Sequence, residues 1–512
     1  MVTTAMDTIC AQDGLFGFVG DSSDFLAQTT NYMPADLTLP DDVLPLISQL
    51  VRKYREGTVD PKRIVNIMYD RIEQHREQDP TIWTSIQSRE AVLESTQALV
   101  TRYIEDKHNI PPLFGVPFAV QDSINVAGIS TTAACAGLYT PETTAPAVKA
   151  LLDAGAIFIG KLSVDQLAFD LLGSSSSSSG ASIAVAAGLV PFALGTDTTG
   201  NTLVSGGING VTTLKTTKGT ISMQGILPVC PSQDTISIMA RNTEDARAVW
   251  LELQKTDNTN EPYAKSFASL PTWHIDARDP RPWKDKFRFA VPPPMLLDAV
   301  CSTADRALFN VAIETLRGCG GRLVEIDYES FQTGSDLAAL DNGEGASLLV
   351  HEHIATIGAE VITDNLPSMH PELQMIYERH LSAPIKPWTI FQAQARLAKC
   401  AQKAQALFDP LNPDGVDILV VPSTATHSTD RELEAEKGLK ALRSQAGEFT
   451  RPVNVLDLCA VGVIAGSIQG SGAGAGLPFG VTFIGGMGYD AKVLDLVKRF
   501  EEASYETDGN YM

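Results

Sequence analysis

Two turns built from small residues, separated by a short apolar stretch, constrain this chain more than anything else in it. The first is the serine run SSSSSSGAS, which begins at Ser174; the second is GTDTTGNTLVSGGINGVTTLKTTKG, from Gly195 to Gly219. Between them runs IAVAAGLVPFALG, from Ile183 to Gly195, too short and too broken by Gly and Pro for a membrane span and therefore read as buried core. Flexible linkers do not feed core segments, so the serine run reads as part of the fold. Where two such turns meet, their small residues let backbone N–H groups point at one developing negative charge. Asn201 stands where that design would carry a nucleophile, and an amide side chain is not one.

The rest of the chain alternates helical and strand patterns. Asp41 to Arg76 reads as helix, its second part opening on an Asp cap and a Pro, and another helix is expected over Arg89–Asp106. PLFGVPFAVQDSINVAG reads as strand, turn and loop, and TAPAVKALLDAGAIFIGKL as helix then buried strand. Ala240–Val249 reads as helix, and Gln254–Lys286, rich in Pro, Asp and Trp, as a surface excursion. FRFAVPPP, RLVEIDY and VDILVVPST read as strands, ADRALFNVAIETLRGCGG and Leu337–Phe408 as helical, and residues 430–445 as a charged helix or flap. A Gly-rich turn between strands and a closing helix, AKVLDLVKRFEEA, complete the chain. Such alternation predicts an α/β fold with one mixed central sheet flanked by helices on both faces. Residues 1–40, polar and without period, read as a loosely ordered extension, and residues 41–512 as one domain.

Charge excludes some partners. A net charge of -22 argues against nucleic acid and anionic membrane, which both require basic patches. The N-terminus lacks the basic and apolar regions of a secretory signal, and the seven cysteines lack metal-type spacing, so a reduced, cytoplasmic setting is expected. No cofactor is called for: GSGAGAG (470–476) lacks the strand and helix of a dinucleotide site. No metal is expected either, since His351 and His353, at i and i+2, face apart on a helix and are read as surface residues.

Ordered motifs carry a resemblance. PLFGVPFAVQDSINVAG (112–128), AGAIFIGKLSVDQLA (154–168), SSSGAS (177–182), LVPFALGTDTTGN (189–201), GVTTLKTTKG (210–219) and PVNVLDLCAVGVIAG (452–466) together resemble the amidase signature family, most nearly its allophanate hydrolase branch. The resemblance spans about Leu44 to Ala503 and implies a Ser–Ser–Lys triad. The lysine belongs in GVPFAVKD, where this chain places Gln121; the bridging serine falls on Ser177; the nucleophile falls on Asn201. The oxyanion hole would use the backbone amides of Thr198, Thr199, Gly200 and Asn201. The branch also carries a helix resembling LLYEGPWVAER, whose Tyr and Arg hold a substrate carboxylate; LLVHEHIATIG places Val350 and Gly358 there.

Two triad positions thus carry amides, which serve neither as general base nor as nucleophile by this route. The expected role is a pseudo-amidase that binds a small amide- or acid-like ligand or a protein partner. Two alternatives stay open: an active C–N hydrolase using a displaced nucleophile such as Ser177, Thr199 or Thr202, and a structural component of a hetero-oligomer. The family's dimers imply a homodimer. Lys161, Lys215 and Lys218 read as structural or surface lysines, and Cys135 and Cys230 as small buried hydrophobes.

Overall fold

A computed structural model describes residues 46–103, 109–135, 139–168, 179–265, 286–338, 347–369, 371–382, 385–425, 446–468 and 476–508. The expected N-terminal extension, Ser177, the charged 430–445 stretch and most of the Gly-rich turn lie outside the described residues.

Among them, eleven strands form one mixed sheet: β1 (Trp83–Ile86), β2 (Pro117–Gln121), β3 (Ile157–Leu162), β4 (Phe192–Asp197), β5 (Thr212–Lys215), β6 (Thr235–Ala240), β7 (Phe287–Ala290), β8 (Gly321–Leu323), β9 (Ile418–Pro422), β10 (Cys459–Ser467) and β11 (Pro478–Gly485). Their order is β1-β3-β2-β4-β6-β5-β10-β11-β9-β7-β8. Parallel pairs β3–β2–β4 and β9–β7–β8 flank an antiparallel middle. The mixed sheet expected from the sequence is present.

Strand periodicity decides which residues meet which layer. Phe118 and Val120 of β2, Phe192 and Leu194 of β4, and Ile236 and Ile238 of β6 join one core cluster. The intervening Ala119, Ala193 and Met239 join a second. Successive side chains point to opposite faces, so both faces here are buried and the strands read as unbroken apolar runs. Phe118 and Phe192 stack at 5.4 Å between ring centres.

The helices Pro61–Gln78 and Thr243–Leu253 start where their caps dictate. Asp60 accepts the Lys62 N–H at 2.9 Å and Asn242 accepts that of Asp245 at 2.8 Å. The second helix begins after the expected Ala240, because that residue still pairs with Thr212 in the sheet. RLVEIDY yields only the short edge strand β8, whose pairing partner β7 is itself four residues long. The apolar segment after the serine run first forms a helix, Ser179–Ala186, and becomes strand only from Phe192. Gly188, at φ +65°, breaks the two apart.

Candidate active site

The site forms at the carboxyl ends of β2 and β4, parallel neighbours in register from Phe118–Phe192 to Val120–Leu194. Carboxyl ends of parallel strands are where open α/β sheets place ligands. That register sets Gln121, the last residue of β2, beside Gly195. A Cβ on Gly195 would lie 3.0 Å from the Gln121 Oε1 and 2.7 Å from Met239, so the strands close here only around glycine. The Gln121 side chain is buried, and its Oε1 accepts the Thr196 N–H at 2.8 Å.

Beyond β4, Asp197 builds the turn into the helix Asn201–Asn209. Its carboxylate accepts the N–H of Gly200 at 2.7 Å, the N–H of Thr202 at 3.0 Å and the Thr202 hydroxyl. Gly200 sits at φ +81°, and a Cβ there would come within 2.6 Å of Thr450. Asn201 opens the helix with its amide folded back: Oδ1 accepts the Thr198 N–H at 3.2 Å, and Nδ2 faces the Thr196 carbonyl at 3.5 Å. Two of the four amides considered for an oxyanion hole, those of Thr198 and Gly200, therefore bond within the loop itself. The N–H groups of Thr199 and Asn201 have no described acceptor.

Charge around the loop is buried and matched. Burial pushes the Asp197 carboxyl above its ordinary pKa, while its hydrogen bonds and the Lys215 ammonium pull the other way. Lys215 donates to the Leu458 carbonyl at 2.6 Å, and burial lowers its pKa to about 8. Lys161 is enclosed by Asp122 Oδ1 at 2.9 Å, Thr131 Oγ1 at 2.7 Å and the Ser130 carbonyl at 3.1 Å. Its pKa is drawn down by burial and held up by Asp122. Both ammonium groups are buried and bonded within the fold. Lys218, half-buried, donates to the Ser232 carbonyl at 2.6 Å.

The wall beside the loop comes from residues 229–234 and the helix Leu348–Ile357. Asp234 accepts the Thr198 hydroxyl at 2.6 Å and the N–H groups of Val229 and Cys230 near 3 Å, and burial raises its pKa to about 6. Glu352, on the helix, accepts the Ser232 N–H at 2.7 Å, the Ser232 hydroxyl and the Cys230 thiol at 3.0 Å. Val350 is fully buried in an apolar cluster with Val229 and Cys230, and Gly358 caps the helix end at φ +101°. Asn454 reaches in from the far side, donating to the carbonyls of Asp197 and Gln233.

Sequence reasoning missed Asp234, Glu352 and Asn454. Glu352 lay in plain view inside HEH, between two histidines whose metal-binding potential was the more obvious signal. One reading of those histidines needs correcting. His353 is not a surface residue: it is buried, bonded through Nδ1 to the Val229 carbonyl at 2.9 Å and stacked on Tyr377. Burial lowers its pKa to about 4 and keeps it neutral. Its helix packs against loop 229–234 as well as the core, leaving that face no solvent. Cys230 is buried as expected; Cys135 is half-buried. Among the described residues, no group of three His, Cys, Asp or Glu is placed to hold a metal, and no helix is long and apolar enough to cross a membrane.

The amidase family model matches residues 63–494, most of the chain. This chain belongs to the amidase family. Urea amidolyase of Saccharomyces cerevisiae is 32% identical over 439 residues, which cover 82% of this chain and 22% of that protein; the chain thus spans about a fifth of that relative's length. A glutamyl-tRNA(Gln) amidotransferase component from Staphylococcus saprophyticus is 27% identical, covering 91% of this chain and 97% of that one. Among solved structures, Kluyveromyces lactis allophanate hydrolase superposes with a TM-score of 0.75 at 26% identity, covering 92% of this chain and 74% of the other. The amidase fold and the likeness to allophanate hydrolase expected from the motifs both hold.

Proposed function

We propose that this amidase-family chain is a pseudo-amidase, a protein that binds a small amide- or acid-like ligand, or a partner, without hydrolysing it by a Ser–Ser–Lys route. One observation carries the reading. The amides of Gln121 and Asn201, at the positions matched to base and nucleophile, both bond to the main chain of the 196–198 loop. Neither group has the lone-pair basicity or nucleophilicity that acyl transfer requires. The Thr202 hydroxyl, buried between the Asp197 carboxylate and Ser237, supports the same reading over a displaced nucleophile at that position.

The test is twofold. Purified protein is expected to leave allophanate, urea-type, aliphatic and aryl amides intact and to resist a serine-directed fluorophosphonate. Turnover abolished by Thr202→Ala or Ser177→Ala would restore the active-hydrolase alternative. The double variant Gln121→Lys with Asn201→Ser then asks whether the rest of the site is competent, with hydrolysis and probe labelling as readouts. A partner-bound role is the second reading, motivated by a relative named as one component of an amidotransferase; a stoichiometric co-purifying protein would favour it. A single domain over residues 41–512, a cytoplasmic location and a homodimeric state belong to the same proposal.

A further inference from the structure

The loop 229–234 binds two carboxylates, and they are held differently. Asp234 is its own member, fully enclosed and bonded to the Val229 and Cys230 N–H groups and to Thr198. The second carboxylate, that of Glu352, arrives from a helix more than a hundred residues away in sequence. Ser232 meets it with its N–H on one oxygen and its hydroxyl on the other, and Cys230 adds its thiol. Donors to both oxygens of one carboxylate are the complement of that group's lone pairs. Lys218 stands behind this position: its ammonium is fixed on the Ser232 carbonyl at 2.6 Å, lies over the Tyr263 ring and interacts electrostatically with Glu352.

The position is joined to the candidate site. The Cys230 residue whose thiol reaches Glu352 also bonds through its N–H to Asp234, and Asp234 holds the Thr198 hydroxyl in the loop that ends at Asn201. Val350, on the same helix, is buried in apolar surroundings and brings no charge to the wall. The negative charge that this helix brings to the wall is Glu352's, with the Lys218 ammonium behind it.

We propose that Ser232, with Lys218 behind it, forms a carboxylate-binding position that the chain fills with its own Glu352, so that the site takes an uncharged amide and turns away ligands bearing a carboxylate. The second half of this statement rests on the ligand-binding reading above. A free carboxylate entering beside Glu352 meets a like charge in a partly desolvated wall, which is a negative-charge filter. An uncharged amide meets no such repulsion, and its N–H groups find acceptor capacity remaining on Glu352.

Two arms test this on the full chain. In the first, Glu352→Ala vacates the position, and 50 mM sodium acetate is compared with 50 mM sodium chloride by thermal melting. Acetate is expected to raise the melting temperature of E352A by about 2 °C or more and to leave the wild type unmoved, as a ligand of the folded state must. Equal response of both proteins, or of neither, overturns the carboxylate position, and so does an E352A chain that stays unfolded with acetate present. In the second arm, Glu352→Gln keeps length and volume while removing charge. Wild type is expected to bind succinamide about tenfold or more tightly than succinamate by calorimetry, and E352Q to lose most of that ratio. A ratio unchanged in E352Q, or a wild type that prefers succinamate, overturns the ligand class. Binding of neither probe to either protein sinks the ligand-binding reading and the ligand class with it, while the acetate arm still decides the carboxylate position.

Discussion

The turn after β4 and the wall at residues 229–234 solve the same problem by opposite means. Each must hold a carboxylate against backbone N–H groups in a dry environment. The turn draws on its own neighbourhood: Asp197 bonds to residues three and five positions ahead, and Asn201 folds back three positions to Thr198. The wall is local only for Asp234; its other carboxylate, Glu352, comes from 120 residues away. A turn whose carboxylate bonds its own neighbours takes most of its shape from adjacent residues. A wall assembled from distant segments is, in the proposal above, what sets which ligand is admitted. In this chain the turn still makes its hydrogen bonds while carrying an amide at position 201, and the wall carries a negative charge.

Breaking the local bonds should cost most. Asp197→Ala removes a buried carboxylate that serves three donors and faces Lys215, and a loss of about 3–5 kcal/mol is expected in urea denaturation. Loss below about 1 kcal/mol would mean that the turn does not depend on its own aspartate. Gly200→Ala forces an L side chain into φ +81° against Thr450, and roughly 2 kcal/mol of destabilisation is expected from the same measurement.

Coupling between the regions comes next. A double-mutant cycle pairing Thr198→Val with Asp234→Asn should give about 1–2 kcal/mol of interaction, since the two share a 2.6 Å bond. The cycle pairing Thr198→Val with Glu352→Gln should give less than about 0.5 kcal/mol, because no bond joins them directly. If the second coupling equals the first, turn and wall act as one unit and the contrast between them fails.

The smallest effect is in pH. Asp234 titrates near 6 in the folded protein, above an ordinary carboxyl, because burial disfavours its charge. The unfolded chain releases that proton first, so the stability it contributes is whole below about pH 4 and is lost as pH rises through 6. Asp245 and Glu501, both raised to about 7 by burial, act in the same direction. Asp234→Asn should therefore flatten the fall in stability between pH 4 and 7 by on the order of 1 kcal/mol without abolishing it. An identical slope in wild type and variant would show that Asp234 does not titrate in that range.

The local elements were legible in the sequence for a physical reason. The cap at Asp60, the apolar runs of β2 and β4, and the Gly/Thr turn around Gly200 depend on residues a few positions apart. Boundaries slipped where tertiary pairing overrode local pattern, as when Ala240 stayed in the sheet with Thr212 and the stretch after the serine run turned helical before β4. Asp234 and Asn454 left no sequence signal, because a single Asp or Asn becomes a clamp only when folding brings Thr198 or Asp197 against it. His353 was misplaced for the same reason: two residues from His351 on a helix, it is buried by the loop that carries Val229.

By itself, the sequence determined the alternating α/β order, the amidase motifs and the amides at positions 121 and 201. Those are properties of residue type and short-range spacing. Only the tertiary structure decided where those amides spend their hydrogen bonds, that Lys161 and Lys215 are enclosed by acceptors, and that Glu352 sits in the donors of Ser232. Apart from the bond between Asn201 and Thr198, each of these joins segments far apart in the chain, and the sheet register that brings Gln121 beside Gly195 arises from pairing along whole strands, which no short stretch of sequence encodes.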